Sequence, residues 1–200
     1  MEVAGRDLLA WSLAAFDAAV TIGPVVVAVP PGSEARTQQP ESLGSGVVAV
    51  PGGASRSESV AAAMERVETD LVVVHDAARP LVTAELIDAV VEGLHSRPEL
   101  DGLIAAAPVT DTVKRADAEL HVLETPPREG LWAVQTPQAF RTEALRRALG
   151  QGGLESATDD AMLIERAGGR IGIHPAPPEN LKVTTPLDLR IAEMLLAARR

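Results

Sequence analysis

No cysteine occurs in this chain of 200 residues, which excludes disulfide bridges, thiolate metal centres and a cysteine nucleophile. Any bound metal must be held by oxygen or imidazole. Long apolar runs are missing too: none reaches bilayer-spanning length, and the opening segment carries Glu2, Arg6, Asp7 and Asp17, unlike a secretory signal. A soluble, cytoplasmic protein is expected, with no membrane contact. There is no surplus of positive charge either, because 18 Lys and Arg face 28 Asp and Glu for a net charge of −10. That argues against general affinity for nucleic acid or anionic lipid, both of which demand clustered cations. A small anionic ligand would need local cations. Lysine itself is rare, with only Lys114 and Lys182 among the 18 basic residues, in DTVKR and NLKVTTP. Arginine serves as the ordinary surface cation, so the two lysines are candidates for places where a compact ammonium is wanted, with chance the rival reading for Lys114.

What is present is 46% hydrophobic content, enough to bury one sizeable core in a single domain. The patterning alternates helix and strand. A helix is read over Leu8 to Ala19, strands over Val25 to Val29, Val47 to Val50, Leu71 to Val74 and Leu103 to Ala107, and helices from Ser57 to Val67 and from Thr83 to Leu94. Gly32 to Gly46 is the most loop-like stretch. This order predicts an α/β fold with a doubly wound, mostly parallel sheet. After Pro108 the rhythm changes: Thr112 to Arg115 and His121 to Thr125 read as a hairpin leaving the body, an arm over 109–128 that needs something to pack against, most simply a second copy. Leu131 to Val134 returns to the sheet, Thr142 to Leu149 and Asp159 to Ala167 are helical, and Arg170 to Ile173 is strand-like. Pro186 to Ala198 closes the chain with Thr185 as N-cap and Asp188 at N3.

The segment LVVVHDAARP, Leu71 to Pro80, carries the most chemistry. A buried strand delivers Asp76 and Arg79 to its carboxyl end, where open α/β sheets bind ligands. Alone, it equally fits a plain strand end in which Asp76 caps a turn and Arg79 is a solvated charge. Gly52-Gly53 before the helix near Ser57 can bring bare backbone N–H groups to a ligand, with Arg56 and Ser59 nearby, or can be an ordinary strand-to-helix turn. Thr158-Asp159-Asp160 reads as an N-cap threonine followed by acids that complement the helix dipole. Thr136-Pro137-Gln138 follows a strand, which puts a hydroxyl at the sheet edge. His75 reads as a packed strand-end histidine, and His95, His121 and His174 form no metal spacing.

In order along the chain, AGRDLLAWSLAAF at 4–16, PGGASRSESV at 51–60, VHDAARP at 74–80, PVTDTVKR at 108–115, REGLWAVQTPQAF at 128–140, TDDA at 158–161 and NLKVTTPLDL at 180–189 form a pattern. It resembles the cytidylyltransferases that act on 2-C-methyl-D-erythritol 4-phosphate in the non-mevalonate route to isoprenoid precursors. The resemblance spans essentially the whole chain. It implies a Rossmann-like nucleotidyltransferase domain over 1–200 that joins CTP to the polyol phosphate with release of pyrophosphate, using Mg2+. It implies that Gly52, Gly53, Arg56, Ser59, Asp76 and Ala77 face the nucleotide, and that Asp76 also lies by the magnesium and the incoming substrate. Arg79, Thr136 and Thr158 would hold the polyol phosphate, with Lys182 stabilising charge at the reacting phosphate beside Asp76. Thr112 and Arg128, on the arm, would complete the site of the partner in a homodimer.

The family begins with a strand and a glycine-rich loop bearing a catalytic Arg and a Pro-Lys pair, ahead of the segment that matches AGRDLLAWSL. Met1 stands at that later segment, so the first strand is expected to be missing, the sheet edges beside it open, and turnover by the 200-residue chain alone impaired. The most direct origin is a start codon placed too late. Two other readings stay open: a non-catalytic relative that binds nucleotide or a full-length subunit, and a ribitol 5-phosphate cytidylyltransferase.

Overall fold

The computed structural model describes residues 1–33, 46–152 and 157–199. Most of the loop expected over Gly32 to Gly46 lies outside them. In chain order the elements are β1 (Glu2–Val3), β2 (Arg6–Asp7), α1 (Leu8–Ala18), β3 (Val25–Val29), β4 (Val47–Pro51), α2 (Arg56–Met64), β5 (Leu71–Val74) and α3 (Ala84–His95). They continue with β6 (Gly102–Pro108), β7 (Arg115–Ala116), β8 (Val122–Glu124), β9 (Trp132–Arg141), α4 (Thr142–Gly150), α5 (Asp160–Arg166), β10 (Ile171–Pro175) and α6 (Pro186–Ala198). The helices lie on both sides of the strands, as the α/β reading requires.

The main sheet runs β10-β6-β9-β5. β6 is its centre because Gly102 to Ala107 is apolar without alternation, and all six residues are buried on both faces. β10 pairs with β6 in parallel, but β9 is antiparallel to both β6 and β5. The sheet is therefore mixed, with β10, β6 and β5 running one way and β9 against them, which agrees with a mostly parallel sheet carrying one reversed strand. The extent of β9 departs from the sequence reading for a local cause: Pro137 halts the pattern after Val134, whereas the strand continues to Arg141. Proline survives inside it because the pairing with β6 slips between Ile104 and Ala106, giving a bulge at which no ladder bond from residue 137 is needed. Thr136 accordingly sits within a strand and not after one.

β3 and β4 form a separate parallel pair. Among the described residues nothing pairs with the far edge of β3 or of β5. Between those edges lies a cavity of about 730 Å³, lined by Val25 to Ala28 on one side and Leu71 to Val74 on the other, with Phe16 of α1 and Met64 of α2 against it. The expected opening of the sheet is thus found here, lined by residues of both edges and of α1 and α2. A short antiparallel pairing of β1 with β2, turning through Ala4 and Gly5 at φ of 50° and 75°, was not expected from the sequence.

Packing follows the periodicity. α3 buries Ile87, Val90 and Leu94, spaced by three and four residues, the last two against β6 and β9 and Ile87 against Phe16 of α1, and Thr83 caps it through Leu86 N–H. α6 starts with the expected capping box of Thr185 and Asp188. α4 and α5 close the other face around Phe140, Leu145, Leu163 and Ile164. Among the described residues no helix is long and apolar enough to cross a membrane.

Candidate active site

Asp76 stands one residue beyond Val74-His75 at the carboxyl end of β5, and three other elements converge on it. Its Oδ1 pairs with Arg56 Nε at 2.9 Å, from the first turn of α2. Its Oδ2 pairs with Lys182 Nζ at 2.8 Å, from the loop before α6. Its backbone N–H donates to Thr136 Oγ1 of β9 at 3.1 Å. Burial by itself raises a carboxyl pKa, but here the hydrogen bond from Lys182 and the charge of Arg56 overcome it and bring Asp76 down to about 2. The group is therefore a fixed anion in neutral water and a poor base.

Arg56 reaches further than the sequence suggested. Its NH1 also pairs with Asp160 Oδ2 at 2.7 Å, so one guanidinium bridges two carboxylates from β5 and α5. Asp160 is fully buried and its Oδ1 has no partner. Burial consequently raises the Asp160 pKa although the Arg56 charge opposes the rise, while Arg56 itself, desolvated but flanked by both acids, is held more firmly charged than usual. The helix beginning at Asp160 is capped by Asp159, whose carboxylate accepts from Met162 N–H. Thr158 is therefore not the N-cap. It is exposed, with its hydroxyl against Met162 Sδ at 3.7 Å. The signal for Asp160 was present: it lies three and four residues before Leu163 and Ile164, on the buried face of that helix.

Arg79 is no solvated charge, being only 9% exposed. Its NH1 donates to Asn180 O at 2.8 Å and its NH2 to Val134 O at 3.4 Å, while Nε has no partner. Burial lowers its pKa, the direction expected of a cation that lacks an anion to satisfy it. Asn180 is buried in turn and donates to Gln135 Oε1 and Thr136 O, which fixes the loop that carries Lys182. His75 packs on Phe16 and keeps both ring nitrogens engaged, as a packed histidine should. Burial lowers its pKa to about 4, leaving a neutral ring at pH 7.

The Gly52-Gly53 turn is locked from within. Gly52 N–H donates to Val29 O at 2.7 Å, Gly53 N–H to Ser59 Oγ at 3.1 Å, and Ser59 donates its own hydrogen to Ser55 O at 2.9 Å. A Cβ on Gly53 would come within 2.3 Å of Glu58 Cβ, and Glu58 forms the capping box with Ser55 at the start of α2. Glycine is thus demanded here by the helix cap, and not by close approach of a ligand alone. Gly53→Ala should lower the unfolding free energy by about 1–3 kcal/mol, the usual penalty for forcing atoms into filled space. A urea titration checks it, and an unchanged midpoint would mean that Glu58 moves aside freely.

The structure brings Arg56, Asp76 and Lys182 into direct contact, with Thr136 bonded to the same residue and Ala77 exposed beside it. Thr112 and Arg128 lie instead on the exposed arm, where Arg128 NH1 donates to Thr110 O at 2.8 Å. A family model described as 2-C-methyl-D-erythritol 4-phosphate cytidylyltransferase (IspD) matches residues 1–198. The chain belongs to this family. A cytidylyltransferase of that name from Dechloromonas aromatica (strain RCB) is 44% identical over 207 residues, covering 100% of this chain and 89% of the relative. One from Frankia casuarinae is 42% identical over 198 residues, covering 96% of this chain and 71% of the relative. The crystal structure of the 2-C-methyl-D-erythritol 4-phosphate cytidylyltransferase from Thermus thermophilus superposes with a TM-score of 0.83 at 37% identity, over 98% of this chain and 91% of that one. The IspD cytidylyltransferases are CTP-dependent nucleotidyltransferases of isoprenoid precursor synthesis, with the Rossmann-like α/β fold described above.

Proposed function

We propose that this chain transfers the cytidylyl group of CTP to 2-C-methyl-D-erythritol 4-phosphate at the Asp76–Lys182 site. A phosphate oxygen of the polyol phosphate attacks the α-phosphorus, the bond to the β-phosphate oxygen breaks, and pyrophosphate leaves with the electron pair. The observation that carries the reading is the convergence of Arg56 and Lys182 on one permanently charged carboxylate at a strand end. The attacking phosphate is already an anion near neutrality, so no residue need remove a proton, and a carboxylate with a pKa of about 2 is not asked to. Catalysis then consists of positioning and of cations placed against developing phosphate charge.

Lys182, still 42% exposed at its side chain, is the cation able to turn from Asp76 to the reacting phosphate. Arg79, held on the Asn180 and Val134 carbonyls, places a buried positive charge on the side of the polyol phosphate. Ser59 has committed its hydrogen to Ser55 O, so it offers cytidine only lone pairs, while Gly52, Gly53, Arg56 and Ala77 border the same side. Thr136 and Thr158 complete the polyol phosphate side in this reading. Magnesium fits as an ion carried by the triphosphate with Asp76 as its protein contact. Each Asp76 oxygen keeps a lone pair beyond its ion pair, and one carboxylate plus substrate phosphates suits this metal. When bound it would neutralise phosphate charge.

Pyrophosphate release should be observed with CTP and 2-C-methyl-D-erythritol 4-phosphate. Faster release with ribitol 5-phosphate would move the substrate assignment to that polyol, and binding of CTP with no release from either would favour the non-catalytic reading.

The arm over 109–128, in a single domain spanning 1–200, supports a homodimer in the same proposal. Its hairpin has two short strands and no core, yet Leu120, Val122 and Leu123 are 84, 60 and 55% exposed. Such a ribbon is marginal alone and gains by lying on a second copy, which would bring Thr112 and Arg128 to the neighbouring site. Sedimentation should give a dimer for the intact chain and a monomer once residues 112–125 are replaced by a short glycine turn. A dimer that survives the replacement overturns this role for the arm.

A further inference from the structure

His75 is used by nothing in the reaction just described, yet it joins two of the site's supports. Thr136 Oγ1 accepts from the Asp76 backbone N–H at 3.1 Å and lies 2.9 Å from His75 Nδ1. On the other side of the ring, His75 Nε2 lies 3.3 Å from the Arg79 carbonyl oxygen. A carbonyl can only accept, so the ring proton belongs on Nε2 and Nδ1 is left as a lone pair. Nδ1 must then receive the Thr136 hydroxyl hydrogen. All directions in the chain are thereby set: Asp76 N–H to Thr136, Thr136 O–H to His75, His75 N–H to Arg79 C=O. Arg79 N–H closes the loop by donating to Asp76 O at 2.9 Å.

We infer that His75 is a positioning residue, whose ring clamps the Asp76–Arg79 turn at both ends and takes up the Thr136 hydroxyl hydrogen, so that this hydroxyl can only accept from a ligand. Two consequences follow for the proposed site, on which this inference rests. The Asp76 carboxylate and the Arg79 guanidinium are held at fixed separation by backbone bonds that close through the ring. Thr136 discriminates by polarity as well, since a hydroxyl without a free hydrogen can take a bond from a polyol O–H but can give none to a phosphate oxygen. The bland alternative is that His75 only fills space beside Phe16. That role needs neither the tautomer nor any link to Thr136.

The test begins on the intact chain labelled with 15N-histidine, the His75 signal being assigned by its loss in His75→Gln. The Nε2–H tautomer is expected at neutral pH in all forms, because the Arg79 carbonyl sets it, with the Nδ1 resonance of a hydrogen-bonded lone pair kept in Thr136→Ser and moved to that of a free lone pair in Thr136→Val. An Nδ1–H tautomer, or an Nδ1 resonance indifferent to Thr136→Val, overturns the inference. This reading needs no turnover, so absence of any reaction by the wild-type chain would count against the proposed function and not against the relay. Where turnover is measured, His75→Gln keeps a donor for Arg79 O but offers Thr136 no equivalent acceptor. His75→Gln and Thr136→Val should each raise KM for the polyol phosphate about tenfold, the worth of one hydrogen bond, and the double variant should do no worse than either. His75→Asn, which retains an acceptor at the Nδ1 position, should recover part of that KM. Multiplying losses in the double variant, or equal losses in Gln and Asn, would show that the ring merely fills space.

Discussion

Asp76→Ala should lower kcat for CDP-methylerythritol formation by about a hundredfold to a thousandfold, the range seen when a preorganised charged group is removed from a transition-state site. The reasoning runs through what the carboxylate holds. Lys182 Nζ and Arg56 Nε each rest on one of its oxygens, and no other acid among the described residues takes a hydrogen bond from Lys182. Without Asp76 the ammonium loses its anchor and Arg56 turns wholly to Asp160, so the cations are no longer aimed and the contact proposed for magnesium is gone. Asp76→Asn should fall between, because an amide oxygen can still accept from one cation but cancels the charge of neither. Steady-state rates with saturating CTP decide it. A loss of less than tenfold in the Ala variant would show that Asp76 organises the site without taking part in the transfer.

The second large effect is on stability. Arg56→Met should cost about 2–4 kcal/mol at pH 8, the lower part of the range for breaking a buried ion pair because the guanidinium is itself partly exposed. The loss comes from Asp160, which is left charged, buried and without its counter-ion, with one oxygen already unpartnered. The variant carboxyl would hold its proton still more tightly when folded than when unfolded. A carboxyl with a raised folded pKa contributes stability below its unfolded value, near 3.8, and loses it as pH climbs through the raised value. The deficit against wild type should therefore grow from pH 5 to pH 8. Asp76 adds nothing to that slope, since Lys182 still holds it ionised over the whole interval. Urea midpoints at the two pH values provide the check, and a deficit independent of pH would mean that water reaches Asp160.

Most elements were legible because their signals are local. Val25 to Val29 and Leu71 to Val74 are β-branched runs of strand length, and Thr185-Pro186 with Asp188 announces a helix start that the structure reproduces. The direction of β9 was not legible, since pairing is decided between residues far apart, such as Val72 with Phe140 and Gly102 with the same Phe140. At the site, Asp76 and Lys182 were legible from placement and rarity, and the family resemblance joined them. The bridge from Arg56 to Asp160 spans 104 residues and leaves no trace in either neighbourhood beyond the apolar face of α5. Gly53 was left open between a ligand contact and an ordinary turn, and the sequence could not name Glu58 as its tightest neighbour, because a glycine in a turn signals that space is short without saying what fills it.

The cavity between β3 and β5 has a consequence for how the site is assembled. The Gly52-Gly53 turn is tied to β3 through Val29, while Asp76 extends from β5 in the other laddered unit. No backbone ladder among the described residues fixes one against the other. Apart from the packing of α1 and α2 and the bonds from Val20 and Thr21 to Asp88 of α3, their relative setting depends on the Arg56–Asp76 bond, with Asp160 bracing Arg56 from behind. The sides proposed for nucleotide and phosphate thus meet like two jaws with a polar latch, and the guanidinium proposed as a site residue is also the fastener that sets the gap between them.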